Sequence, residues 1–183
     1  AATLAGVGQV AFSVQALAIV PERPLVYWWS DSLLSIYGSA PLIGTISSAK
    51  KGLCTGDDVR HTRSVWEISP SRQAWVPVIK GGKGRQWIDR LSDMVRWERS
   101  GLMFRLLVEM GTGTRYQNDS LFFQLGVAFS MIGSDFAART HRYPSIFGDM
   151  GSSVFPHDKS QTVCSMNSGR SRMILQSINP GMH

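Results

Sequence analysis

Short apolar runs separated by turn residues dominate the chain from Leu121 onwards. The stretches LFFQLGVAFSMIG (121–133) and RYPSIFGDMGSSVFP (142–156) join such runs through glycine, proline or aspartate. Runs of this length are typical of strands in a small sheet. Together with helical patterns elsewhere in the chain, they predict an α+β fold of short antiparallel strands with a few helices.

Two segments have the apolar spacing of helices. QWIDRLSDMVRWERSG (86–101) predicts an amphipathic helix, because its apolar residues recur at helical spacing and Gly101 is a typical helix stop. NSGRSRMILQSI (167–178) predicts a closing helix that ends before Asn179-Pro180.

The first eighty residues predict further short elements. Residues 26–28 predict an apolar strand, and a helix is expected to start at an Asp31 or Ser32 cap and to stop at Gly38. RSVWEI (63–68) and AWVPVIK (74–80) predict two strands, because each is a short run rich in aromatic and β-branched residues.

The positive charge of the protein is concentrated in the middle of the chain. Residues 50–115 contain 13 Lys and Arg residues against 7 Asp and Glu residues, whereas the remainder contains 6 of each kind. The whole net charge of +6 therefore lies in this segment. A local excess of cations beside aromatic residues is typical of proteins that bind a phosphate backbone. A merely basic and well-solvated surface has the same composition.

The cysteines and the N-terminal residues indicate the cellular compartment in which the protein is expected. Cys54 and Cys164 are too few and too far apart for a disulfide framework or a zinc site, which fits a reducing, cytoplasmic setting. Residues 1–20 carry no charge, but they contain two Gln and lack a basic region. They predict a buried strand or helix rather than a signal peptide, and no membrane association is expected.

No catalytic or metal-binding motif is apparent, but one loop has the composition of a phosphate-binding segment. In VIKGGKGRQW (78–87), glycines allow close approach of the backbone to a phosphate, and three cations supply charge. The loop lacks the spacing of a P-loop and the Ser or Thr after Lys. Trp87 has two open interpretations, as a stacking residue for a base or as a core residue beside a solvated hairpin.

Several sequence blocks, in order, resemble one family. They are PLVYWWS (24–30), GLCTGDD (52–58), RSVWEI (63–68), WVPVIKGGKGRQW (75–87), VRWERSG (95–101), RYQNDSLFFQLGVAFS (115–130), RYPSIFGDMGSSVFP (142–156), MNS (166–168) and INP (178–180). This order is similar to the region beyond the catalytic domain in adenine-specific DNA methyltransferases of the PglX type, which occur in phage-exclusion (BREX) systems, and in related restriction–modification enzymes. The resemblance covers the chain from about residue 21 to its end.

The resemblance implies an activity for the family as a whole. Such enzymes transfer a methyl group from S-adenosylmethionine to the exocyclic nitrogen of a flipped adenine. Their catalytic tetrapeptide, Asn/Asp-Pro-Pro-Tyr/Phe, and their Gly-rich cofactor loop do not occur in this sequence. We therefore expect a DNA-binding, target-recognition portion that holds no cofactor itself and is inactive in methylation when alone.

The resemblance also implies which residues meet duplex DNA. The family's usual Asn in the TGDN block is Asp58 in this chain, and the loop after KGG carries an additional basic residue and glycine. The turn and strand in residues 50–67 are expected to face DNA, with contacts to the backbone or to a flipped base. The expected DNA-binding residues are Thr55, Arg60, Arg63, Lys80, Lys83 and Arg85.

The last expectations concern the division of the chain into two parts and two alternative functions. Residues 1–49 are predicted to be the edge or connector of a methyltransferase core, and 50–183 a target-recognition-like region. Other interpretations are a non-catalytic module that docks to a methyltransferase domain or to defence-system proteins, and a degenerate remnant of such an enzyme. The recognised DNA sequence, any endonuclease activity and the oligomeric state are left open.

Overall fold

The computed structural model describes residues 13–69, 74–82, 84–130 and 136–178. In this part of the chain, six α-helices and eight β-strands follow one another. The helices are α1 (Asp31–Ser39), α2 (Ile43–Ile46), α3 (Asp58–His61), α4 (Leu102–Glu109), α5 (Lys159–Met166) and α6 (Gly169–Ile178). The strands are β1 (Thr62–Ser64), β2 (Trp75–Ile79), β3 (Trp87–Ile88), β4 (Asp93–Arg96), β5 (Val127–Phe129), β6 (Ala138–Thr140), β7 (Ile146–Phe147) and β8 (Ser153–Val154).

The strands form two small sheets. The first has the order β1-β4-β2-β7, and the second has the order β3-β6-β5-β8. Most neighbouring strands are antiparallel, whereas the pairs β2–β7 and β3–β6 are parallel. This mixture of short strands and helices confirms the predicted α+β class. No helix in the described ranges has the length and apolar character needed to cross a bilayer.

The first sheet packs against an aromatic-rich core. Val95 on strand β4 of this sheet and Phe104 on α4 are completely buried. Full burial of such a side chain stabilises the fold by about 1.5–3 kcal/mol. Trp97 stacks on Tyr116 with the ring centroids 6.0 Å apart, and it meets Phe122 edge to face at 5.7 Å. Helix α4 and the loop that follows it are thereby fixed against the sheet.

Two smaller apolar clusters lie outside this core. The second sheet packs on α5, where Val127 and Val154 contact Val163 in one apolar cluster. The N-terminal segment forms a separate cluster around Trp29 and Leu34, against which Ile174 of α6 packs. The beginning and end of the described chain are therefore in contact. The predicted division at residue 49 stays a prediction.

Several predicted elements are present in the structure. Helix α1 occupies the predicted position, although the cap is Ser30, whose hydroxyl accepts a hydrogen bond from the Leu33 N–H. Strand β2 and helix α6 also lie where the sequence predicts them. The region after Leu121 contains the four short strands β5 to β8. The buried element predicted over residues 1–20 lies outside the described residues as far as residue 12. Within the rest of it, Ala16–Ile19 form a short 3-10 helix, and Leu17 and Val20 are buried.

The helix predicted over 86–101 is wrong. This segment contains β3 and β4 and ends in a tight turn over Glu98–Gly101, in which Arg99, Ser100 and Gly101 have positive φ values. Val95 pairs with Thr62 of β1 on one side and with Val76 of β2 on the other, so β4 is an inner strand of the first sheet. Backbone pairing on both sides and full burial of Val95 outweigh the helical spacing of the apolar residues.

Two further strand predictions need correction. Residues 26–28 form a turn, in which the Trp29 N–H donates to the Val26 carbonyl at 2.9 Å. The run 63–68 is a strand only as far as Ser64 and continues as a 3-10 turn over Val65–Glu67. There the Ser64 N–H donates to the Glu67 carboxylate at 2.7 Å, a local bond that favours the turn over an extended strand.

Candidate functional site

Three loops that are distant in the sequence meet at one cleft of about 820 Å³. Strands β2 and β7 are parallel, so their carboxyl ends lie at the same edge of the sheet. The Gly148 N–H donates to the Ile79 carbonyl at 2.8 Å, and the Leu53 N–H donates to the Phe147 carbonyl at 3.0 Å. These bonds bring together the turn at 53–58, the loop that begins at Lys80, and the loop at 148–150.

A polar network lies at this cleft. The Lys80 ammonium group lies 2.9 Å from an Asp58 carboxylate oxygen, and it donates to the Thr62 hydroxyl at 3.0 Å. Asp93 is a second, more distant carboxylate partner at 3.9 Å. The Thr55 hydroxyl donates to the other Asp58 oxygen at 2.5 Å. Lys80 is therefore held by groups from two different segments of the chain, the stretch 58–62 and strand β4.

The network keeps Asp58 ionised. Partial burial by itself raises the pKa of the Asp58 carboxyl, because burial disfavours the charged form. Hydrogen bonds from Thr55 and Lys80 and the positive charge of Lys80 more than offset burial. The pKa of Asp58 consequently lies below its ordinary value, and the ion pair with Lys80 persists at neutral pH.

The second carboxylate of the cleft is also neutralised by cations. Asp149 is half-buried, and its carboxylate accepts a hydrogen bond from the Arg115 guanidinium at 2.6 Å. Lys51 lies 4.0 Å from the other Asp149 oxygen. Since both cleft carboxylates are matched by cations, exposed cations near the cleft determine the charge that an approaching molecule meets.

A much smaller pocket of about 30 Å³ adjoins the same loop. Lys80 and Gly81 line both the cleft and this pocket. The pocket also contains Arg139 of β6, whose side chain is almost completely buried. Arg139 forms an ion pair with Asp89 and donates to the Lys80 carbonyl. The glycine-containing loop is thus anchored to the second sheet through a buried guanidinium.

The predicted DNA-binding residues occupy different environments. Thr55 is buried, and both its hydroxyl and its carbonyl are used within the protein. Arg60 and Arg63 are exposed on α3 and β1. The Arg63 guanidinium donates to the Val59 carbonyl at 2.5 Å and to the Thr62 carbonyl at 2.7 Å. Arg63 therefore lies along the surface of its own segment.

The remaining predicted residues belong to the loop after β2. Lys80 lines both the cleft and the small pocket, whereas Arg85 is exposed and lines only the small pocket. Arg85 forms no ion pair within the described ranges. Lys83 lies outside the described residues. The structure brings Thr55 and Lys80 to one cleft and Lys80 and Arg85 to one pocket.

Trp87 is an exposed side chain, which excludes the core interpretation. Its side chain is 49% exposed and its φ is +75°. A bulky residue rarely adopts this left-handed conformation, and such strain is common at functional sites. The adjacent Ile88 is also exposed. The interpretation of Trp87 as a stacking residue is compatible with this position.

Sequence reasoning did not identify Arg139, Asp89 or Asp149 as site residues. Asp89 and Arg139 lie outside the blocks that resemble the family, and Arg139 is remote in sequence from the loop that it holds. Asp149 lies inside the block 142–156, but nothing in that block marks it as a site residue. The one usable signal is Gly82, since a β-carbon at that position would lie 1.9 Å from Arg139 Nη1. Within the described residues, no group of three His, Cys, Asp or Glu side chains is arranged to hold a metal ion.

Comparison with known proteins supports a distant relationship. No family model matches the chain. The adenine-specific methyltransferase PglX of Lacticaseibacillus casei (strain Zhang) is 26% identical to it over 184 residues. The alignment includes 89% of this chain but only 15% of that protein, so the chain spans a small part of the relative that it matches. The chain is thus similar to part of a methyltransferase-related protein.

Proposed function

We propose that this chain is the DNA-binding, target-recognition portion of an S-adenosylmethionine-dependent, adenine-specific DNA methyltransferase that acts in phage defence or restriction–modification. The single observation that carries this proposal is the meeting of three family-like blocks at one cleft. These blocks contain Thr55 and Asp58, Lys80, and Gly148. Similarity to PglX over most of the chain supports the same assignment.

The charge around the cleft favours a polyanion as the partner. Arg60 lies two residues after Asp58 in α3, is exposed, and forms no ion pair with the part of the chain described by the structure. Arg85 has the same properties beside the neighbouring pocket. Cations without internal partners are available to phosphates, and they release counterions when they bind DNA. Duplex DNA is therefore the proposed partner.

The proposed role is recognition rather than methyl transfer. The tetrapeptide and the Gly-rich loop that serve catalysis and cofactor binding in the resembled family are missing from this sequence. Methylation would then require a catalytic methyltransferase domain, which supplies S-adenosylmethionine chemistry at the flipped base. The residues of this chain would bind and orient the duplex for that domain.

Duplex binding at two salt concentrations tests the proposal. Fluorescence anisotropy should detect binding that weakens steeply with salt, and the log–log salt slope of the variant Arg60→Ala/Arg63→Ala should be smaller in magnitude by about two. The variant Arg23→Ala/Arg170→Ala removes the same charge from exposed positions far away in the sequence, and it should keep the wild-type slope. Absence of binding at low salt, or equal slopes for both variants, would contradict the proposal.

A protein-docking role is a second candidate function, favoured by one specific observation. The N-terminal part of the described chain exposes large apolar side chains close together in sequence, among them Leu25, Trp28 and Ile36. Exposed apolar surface of this kind is common where proteins associate. Retention of the chain by an isolated methyltransferase domain, without DNA binding, would favour this role.

A further inference from the structure

Arg139 is held in the small pocket with an unusual degree of constraint. Only 2% of the residue is exposed. Its Nε donates to the Asp89 carboxylate and its Nη2 donates to the Lys80 carbonyl. These two contacts fix the plane of the guanidinium against the loop after β2. A guanidinium fixed in this way presents its remaining donors in one direction.

Among the described residues, the third nitrogen of this guanidinium has no partner. Nη1 is buried and finds no hydrogen-bond acceptor among the described residues. A buried donor of a charged group that stays unsatisfied destabilises the folded state. Native proteins rarely retain such a group unless a ligand, an ion or water completes its bonds. Arg139 Nη1 is therefore a donor that is suited to an external acceptor.

Gly82 makes room for that nitrogen. A β-carbon at this position would lie 1.9 Å from Arg139 Nη1, whereas a β-carbon at Gly81 would meet its nearest neighbour, the Met150 carbonyl oxygen, at 3.5 Å. The two adjacent glycines therefore differ in how closely a side chain would approach the Arg139 guanidinium. Only a side chain at position 82 would displace the guanidinium.

The surroundings of the pocket favour an anion. Arg85 and Arg90 line it, and neither forms an ion pair with a described residue. The two carboxylates present are already engaged, Asp89 by Arg139 and Asp93 by the Ser92 hydroxyl, with Lys80 at 3.9 Å. A volume of about 30 Å³ admits one or two atoms of the size of a water oxygen. It is suited to an oxygen of a tetrahedral anion whose remainder stays outside.

We infer that the pocket formed by Arg139, Gly81 and Gly82 is an oxyanion site that takes one phosphoryl oxygen, with Arg139 Nη1 as its buried donor and Arg85 and Arg90 as its outer cations. Free phosphate and a nucleic-acid phosphodiester share this chemistry. That the phosphate belongs to a DNA backbone rests on the proposed function. Exposed Trp87, beside the pocket in the chain, is then placed to contact the neighbouring nucleotide.

A titration with inorganic phosphate at constant ionic strength tests the site without any substitution. In proton–nitrogen correlation spectra of the wild-type chain, phosphate should shift the signals of the Arg139 guanidinium and the Gly82 amide. Sulfate should act similarly, and chloride should not. Absence of any phosphate-dependent shift at Arg139 and Gly82 would overturn the inference.

Gly82→Ala has a matched glycine-to-alanine control outside the pocket, because a β-carbon at Gly169 would meet nothing within 4 Å. Gly82→Ala should weaken phosphate binding roughly ten-fold or more, which corresponds to loss of one charge-assisted hydrogen bond. Gly169→Ala, at the start of α6 and outside the pocket, should bind as the wild type does. Circular dichroism would verify that both variants are folded. If Gly82→Ala does not fold, Arg139→Lys, which keeps the charge but loses the fork of donors, should show the same weakening.

Binding of duplex DNA to the same variants separates the pocket from the proposed function. Phosphate binding at Arg139 together with absence of DNA binding would support the pocket and contradict the DNA-binding role. DNA binding that is equal for the wild type, Gly169→Ala and Gly82→Ala, without phosphate-dependent shifts, would support that role and overturn the pocket. Weaker DNA binding by Gly82→Ala alone would support both.

Discussion

The Lys80 ammonium group lies 2.9 Å from a carboxylate oxygen of Asp58 and so links the turn at 53–58 to the loop after β2. Both side chains retain considerable exposure, and such a pair contributes only about 0–1 kcal/mol to stability. The larger effect of this ion pair is electrostatic, because the negative charge of Asp58 offsets the positive charge that Lys80 could otherwise offer to a phosphate.

Replacement of Asp58 by Asn should therefore strengthen the interaction with DNA. The amide oxygen of the Asp58→Asn variant can still accept the hydrogen bond from Thr55, but the Lys80 charge loses its closest partner. We expect tighter duplex binding and a salt slope greater in magnitude by about one. The stability should change by less than about 1 kcal/mol. Fluorescence anisotropy and urea denaturation measure these effects.

A charge-matched control separates this local effect from a change in net charge. Glu109 is exposed at the end of α4 and forms no ion pair with a described residue. Glu109→Gln removes the same charge, and its salt slope should stay close to that of the wild type. Equal slopes for Asp58→Asn and Glu109→Gln would show that Lys80 makes no DNA contact.

Gly101 should be essential for the stability of the first core. It has a φ of +76°, and a β-carbon there would lie 2.5 Å from the Trp97 ring. Gly101→Ala should destabilise the protein by about 2–4 kcal/mol, because left-handed strain and overpacking add to each other. Gly113 has a φ of +80° and open space around it, so Gly113→Ala should lose only about 1–2 kcal/mol. Urea denaturation of both variants tests this, and equal losses would contradict the Trp97 contact.

The same glycine explains why the sequence predicted the wrong element before it. Gly101 resembles a helix stop, but it precedes α4, and the residues Arg99 and Ser100 also have positive φ values. The chain reverses there after β4. Apolar spacing does not reveal that Val95 has backbone partners on both sides. Strand pairing of this kind depends on segments far away in the sequence, so a local pattern cannot identify it.

The candidate site could be predicted only in part for a related reason. Motif composition identified the glycine-containing loop after β2 and Lys80 within it. The pocket beside that loop depends on Arg139, which a parallel pairing of β3 and β6 brings close. Trp87 had two open interpretations until the structure showed its exposure. Local chemistry was thus accessible from the sequence, whereas partners brought together by topology were not.

The buried His141 should make the stability of the fold dependent on pH. Burial lowers the pKa of His141 to about 4, with a smaller contribution from the nearby charge of Arg139, although the Gln124 carbonyl acts in the opposite direction. The unfolded chain has a His pKa near 6.5 and so binds more protons below that pH. Stability should be complete above about pH 6.5 and should fall as pH decreases towards 4, by about 2 kcal/mol at pH 5.

Comparison of histidine variants isolates this contribution. His141→Gln cannot be protonated, so its free energy of unfolding should fall less than that of the wild type between pH 7 and pH 5. His157 is exposed, and His157→Gln should retain the wild-type profile. Urea denaturation at several pH values measures the difference. Parallel profiles for the wild type and His141→Gln would exclude His141 as the source of acid sensitivity.

The two cysteines offer a direct test of whether the cleft is the proposed DNA-binding face. Cys54 lines the cleft, whereas Cys164 is exposed on α5. If duplex DNA covers the cleft, it should slow alkylation of Cys54 and leave the rate at Cys164 unchanged. Mass spectrometry after brief treatment with N-ethylmaleimide measures both rates in one sample, and Cys164 is the internal control. Protection of neither cysteine by bound DNA would place the interface elsewhere, and equal protection of both would indicate general shielding rather than occupation of the cleft.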